Sequence, residues 1–166
     1  MGDAPARRVG PEVLVEFPPA ITMTPAYSLA LACVALALLT SLVAVRMLVV
    51  RVGEMRRRRI HPQQIATSAQ ATDKLQSIQV SDNYRNLFEM PVMFYALCAL
   101  LLATGSATAF FAAGAWLYVL LRCAHSVIHC TYNRVMHRFA VFATSFVVLL
   151  VMWVHFGLQV LQQGVA

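Results

Sequence analysis

The segment Arg122–Arg138 reads RCAHSVIHCTYNRVMHR and decides the fold. It begins deep inside an apolar run, yet it carries Arg122, His125, His129, Arg134, His137 and Arg138. An ionisable side chain at membrane depth costs roughly 2.5–3.5 kcal/mol on insertion scales, and is tolerated where it faces a bundle interior or a wet cavity. At about 100° per residue, Arg122, His125, His129 and Tyr132 share one narrow arc of a helix. The expectation is a polar stripe facing inward, with the rest of the chain built around it.

Composition sets the surroundings. Of 166 residues, 60% are hydrophobic and 12% charged, too apolar for an ordinary soluble domain. Uncharged runs of about 20 residues are long enough to cross a bilayer as helices. The fold class expected is an all-α integral membrane protein, a bundle of four transmembrane helices. An irregular N-terminal arm is expected over residues 1–24, with a short interfacial piece at Val13–Phe17. The membrane domain is expected over 25–161. Its spans fall at about 26–50, 82–103, 108–132 and 139–161.

The net charge of +6 is uneven, with seven of 13 Lys and Arg lying between Arg46 and Lys74. A basic block such as Arg56–Arg59 beside a span fixes orientation and touches anionic lipid rather than nucleic acid. That places the Arg46–Lys74 and Asn133–Arg138 connections on the cytoplasmic side, the inner face of a plasma membrane in a bacterium. The Gly105 turn and both termini then face the other side. The four cysteines lie in or near spans with no CxxC spacing, so reduced thiols are expected. The first 20 residues lack a signal-peptide pattern.

Local signals place the elements. Pro25 suits a first helical turn. His61-Pro62 should stop the extension of the first helix, because the residue before proline disfavours helix. Pro91 lies inside the second span and should kink it. Thr104-Gly105-Ser106 is a turn, and Gly114 suits close helix contact.

The second and third spans form a hairpin through Gly105, so depth counts from the turn. Glu89 and Arg122 each lie about 21 Å from it at 1.5 Å per residue. Asp82, Asn86 and Glu89 make one stripe and Arg122, His125 and His129 another. An ion pair between Glu89 and Arg122 is expected, since buried charges need partners. Polar side chains also serve simply to join membrane helices. Here the polar groups outnumber what one joint needs, and their surplus positive charge suits a small anion.

The segment Arg85-Asn86-Leu87-Phe88-Glu89, followed by Pro91, resembles the Arg-Asn-x-x-Glu signature of MAPEG proteins. These are membrane-associated proteins in eicosanoid and glutathione metabolism. The spacing of Arg122, His125, His129, Arg134 and Arg138 resembles the third-helix pattern of the same family. The resemblance implies a homotrimer with glutathione as co-substrate, bound between subunits, and a small apolar substrate arriving through the bilayer. It implies Asn86 and Glu89 on the peptide, and Arg122 and Arg134 facing carboxylates or bracing Glu89. Arg51, with Arg46 as the alternative, would come from the first helix of an adjacent subunit. Arg85, His125 and His129 complete the binding set, and Arg138 is the catalytic residue that stabilises the thiolate. His129 and Phe142 stand where the family has tyrosines, and Tyr132 lies one turn from His129.

The function expected is a glutathione-dependent membrane transferase or peroxidase acting on an apolar electrophile or hydroperoxide. The alternative is a non-catalytic scaffold or accessory subunit with the same fold. A metal reading rests on the i, i+4 spacing of His125 and His129. The adjacent arginines repel a cation, so no metal ligand is assigned.

Overall fold

The computed structural model describes residues 23–76 and 78–164. The expected arm falls almost wholly outside the described residues. The helices are α1 (Pro25–Arg58), α2 (Ser68–Lys74), α3 (Ile78–Ala103), α4 (Ala109–Cys130) and α5 (Val135–Gly164), with a 3-10 turn at Pro62–Ile65. Four of them, all but α2, are long and apolar enough to cross a membrane. The expected all-helical class and its four spanning helices are therefore found.

Local chemistry sets the helix ends. Thr24 caps α1, its hydroxyl accepting from the Tyr27 amide at 3.3 Å, and Pro25 fills the first turn. α1 runs on to Arg58 and closes with Arg59 in the left-handed region at φ 53°. The Ile60 amide then donates to the Met55 carbonyl at 2.9 Å, and the Arg59 amide to Arg56 at 3.4 Å, the Schellman pattern. Gly105, at φ 66°, ends α3 in the same way, with Ser106 donating to Leu101 at 3.0 Å.

Each spanning helix buries one stripe. On α4 the buried residues are Phe111, Ala115, Tyr118, Val119, Arg122, His125, Ser126 and His129. The stripe is apolar near the Gly105 turn and polar towards Cys130. On α3 the buried positions include Asn83, Leu87, Phe94, Leu97 and Leu101, and on α5 Ser145, Leu149, Met152 and Phe156. The outward faces stay apolar, with Leu42, Val49, Val92, Leu120 and Val147 all exposed. That is the surface expected of helices facing lipid or a like surface.

α4 is the centre of the bundle, packed against α5 and α1, and α1 packs on α3 as well. Contact between α3 and α4 is much lighter. Gly114 lets α5 close on α4: a Cβ there would lie 2.9 Å from Met152 Sδ. α3 continues as helix through Pro91, and the Trp153 indole on α5 donates to the Met93 carbonyl at 3.3 Å. At the end away from the Gly105 turn, Glu54 is buried and forms an ion pair with Arg58 at 3.1 Å. It also accepts from the Gln76 amide at 2.7 Å, while Arg58 donates to the Lys74 carbonyl at 2.6 Å. These bonds fasten the end of α1 to the connection leading into α3.

Candidate functional site

The polar stretch of α4 faces the interior, as its spacing requires, but its partners differ from those expected. Arg122 is fully buried. Its guanidinium carbon lies 5.2 Å from the Tyr118 ring centroid and 5.0 Å from that of Phe142. Tyr118 stacks in turn on Phe94, centroids 4.7 Å apart and planes 12° apart. Two aromatic faces attract a desolvated cation by roughly 2 kcal/mol each. They leave Nε, Nη1 and Nη2 of Arg122 without a hydrogen-bond partner.

The expected Glu89–Arg122 pair is not formed. Glu89 and Arg85 are exposed on α3. Depth from the turn is shared, but rotation is not: α3 turns its Asn83–Leu87–Phe94 stripe inward, and Glu89 falls outside that stripe. The packing of α1 against both α3 and α4 holds the hairpin helices in this orientation. Asn86, at the edge of the buried stripe, is half-buried.

His125 and His129 sit one turn apart, ring centroids at 5.7 Å, and both are buried. His125 Nδ1 donates to the Arg138 carbonyl at 3.3 Å, leaving its Nε2 without a partner. Arg138 Nη1 donates to Asn133 Oδ1 at 3.0 Å and to His129 Nε2 at 3.2 Å. A guanidinium only donates, so His129 presents a lone pair at Nε2 and carries its proton on Nδ1. That Nδ1 is also unpartnered.

A cleft of about 230 Å³ gathers Asn86 from α3, His125 from α4, and Val135, Arg138, Phe139 and Phe142 from α5. Of the residues expected from sequence, it unites Asn86, His125 and Arg138. His129 lies behind it, reaching Arg138, and Arg122 lies under the Phe142 ring. Arg134 is exposed. Arg51 is half-buried on α1, its Nε unpartnered. Tyr132 does not join the stripe. α4 ends at Cys130, and the exposed Tyr132 hydroxyl lies 3.3 Å from His137 Nδ1 instead.

Two residues went unrecognised in the sequence. Asn83 is fully buried, its amide nitrogen 3.5 Å from Cys130 Sγ and its oxygen accepting from Ser126 at 3.4 Å. It thus joins α3 to the polar stretch of α4. Asn133, at φ 44°, supplies the second acceptor for Arg138. The α3 spacing that selects Leu87, Phe94 and Leu101 extends back to Asn83 and could have found it. Nothing local distinguishes Asn133.

No curated protein and no solved structure matches the chain. A family model does: that of the MAPEG family, over residues 29–158. With four apolar helices of spanning length and this match across most of its length, the chain is a multi-pass integral membrane protein and belongs to the MAPEG family.

Proposed function

We propose that the protein is a glutathione-dependent transferase or peroxidase acting on an apolar electrophile or hydroperoxide that reaches it through the bilayer. The observation that carries this is the cleft at which Asn86, His125 and Arg138 converge from three helices. Members of the family generally use glutathione. The donor set suits an anionic peptide: Arg138 lines the cleft, and Arg122 lies beneath its wall with every nitrogen unpartnered.

Glutathione supplies the thiol nucleophile. A free thiol has a pKa of about 8.5, and a nearby guanidinium lowers it. Arg138 is the group for that work, because His129 and Asn133 hold its Nη1 in place. Asn86 offers an amide to the peptide. Phe139 and Phe142 give the cleft an apolar wall for an apolar second substrate.

The cleft of about 230 Å³ is smaller than the roughly 300–1,000 Å³ usual for small-molecule sites. Its completion by a neighbouring copy in a homotrimer, with Arg51, Arg85, Glu89 and Arg134 contributed around it, follows from the family reading. The test is turnover: purified protein should consume hydrophobic electrophiles or hydroperoxides only with glutathione, and Arg138→Ala should abolish the rate.

One observation favours a second reading, a non-catalytic family member. Phe142 covers Arg122 where the family has a hydroxyl, so that position serves packing. An intact oligomer inert towards every hydrophobic electrophile and hydroperoxide tried would favour it.

A further inference from the structure

The arginine block Arg56–Arg59 takes no part in the cleft described above, and its members do different things. Arg58 is engaged, bound to Glu54 and to the Lys74 carbonyl. Arg56, Arg57 and Arg59 are exposed. Arg56 and Arg59 line a second cleft, of about 530 Å³, whose other walls are Val52, Met55, Ile60 and Pro62, with His61 at its side. Arg57 does not line it.

The cleft is built rather than incidental. The left-handed Arg59 and the Ile60–Met55 bond turn the chain back on the end of α1, so two arginines and four apolar side chains share one concavity. Pro62 opens the 3-10 turn, capped by His61 Nδ1 accepting from the Gln63 amide at 3.3 Å. An apolar concavity with two guanidinium groups is complementary to an amphiphile with an anionic head. The forked geometry of arginine suits phosphate in particular.

Position selects the source of that amphiphile. The span expected for α1 ends at about residue 50, past Arg46, and Arg56 follows six residues later, about 9 Å further along the axis. The headgroup layer lies just beyond the hydrocarbon on each side, and long arginine side chains reach back towards it.

We propose that this cleft binds one anionic phospholipid from the adjoining leaflet. The phosphate lies between Arg56 and Arg59, and the upper acyl segment lies on Val52, Met55, Ile60 and Pro62. Diffuse attraction of a basic surface for an anionic membrane would involve Arg57 equally; a site would not.

The test is native mass spectrometry of the full chain in detergent, titrated with phosphatidylglycerol or with phosphatidylcholine of the same acyl composition. One phosphatidylglycerol retained per subunit is expected. The double variant Arg56→Gln/Arg59→Gln should bind it about 20- to 30-fold more weakly, the effect of two basic residues at a membrane surface. Arg57→Gln should change affinity far less. All three side chains are exposed, so the variants should keep wild-type helicity, checked by circular dichroism. Equal loss on Arg57→Gln, equal retention of phosphatidylcholine, or undiminished binding in the double variant would each overturn the proposal.

Discussion

Arg138 on α5 donates from Nη1 to His129 Nε2 on α4 at 3.2 Å. The bond ties the arginine of the cleft to a histidine that lies outside its lining. It requires His129 to offer a lone pair, so a doubly protonated His129 cannot accept it. His125, through its bond to the Arg138 carbonyl, braces the same turn of α5.

Under the proposed function, this bond should make activity fall on the acid side. Protonation of His129 at low pH removes that acceptor and leaves Asn133 alone to hold Arg138 Nη1, whereas higher pH preserves the bond. In His129→Gln an amide oxygen can accept at any pH, so the acid limb attributable to this residue should disappear while turnover at neutral pH persists. The pH–rate profile of the two proteins is the measurement. An unchanged acid limb in His129→Gln would place the titrating group elsewhere.

Arg122 should be dispensable for folding. It is fully buried between Tyr118 and Phe142, with no hydrogen bond to lose. Desolvating a buried charge costs several kcal/mol, which offsets the roughly 2 kcal/mol that each aromatic face returns. Arg122→Met should therefore keep or raise the thermal midpoint in detergent while weakening anion binding. A large fall in that midpoint would mean that Arg122 has a structural partner in the assembled protein.

Close approach of α4 and α5 depends on Gly114. A leucine there must displace Met152, whose Sδ lies 2.9 Å from the position of the new Cβ. Overpacking of this kind costs about 1–3 kcal/mol. Gly114→Leu should lower the thermal midpoint, and Met152→Ala in the same chain should recover part of the loss.

Glu54 fastens the end of α1. Glu54→Ala removes the acceptor for Arg58 and for the Gln76 amide. Hydrogen bonds to charged groups contribute about 1.5–3 kcal/mol. Hydrogen exchange should accelerate across residues 68–76 and leave the core of α4 unchanged. Equal acceleration in both would show that the contact supports the whole bundle.

Much of this was legible in the sequence, and the misses share a cause. Apolar runs and breakers gave the spanning helices, and the spacing of Arg122, His125 and His129 gave the inward stripe of α4. Counting from Gly105 gave the depth of Glu89 but not its direction. Direction depends on how α3 is rotated, which is set by the packing of α1 against both α3 and α4. The spanning stretch 26–45 of α1 carries no charge, so no periodicity revealed which of its faces would be covered. Asn83 was readable from the α3 stripe, because it lies four residues before Leu87 on the same buried face. Tyr132 was misassigned because α4 ends at Cys130, two residues before the arc reaches it.

The central claim is that the cleft of Asn86, His125 and Arg138 holds glutathione. Calorimetric titration of the detergent-purified protein tests it most directly, with Arg138→Ala and Glu89→Gln alongside. Saturable binding is predicted, weakened about tenfold or more by loss of the charged donor in Arg138→Ala. It should also weaken in Glu89→Gln if a neighbouring copy completes the site. A folded, oligomeric protein that takes up no glutathione at millimolar concentration would contradict the claim and leave the polar stripe of α4 a structural feature.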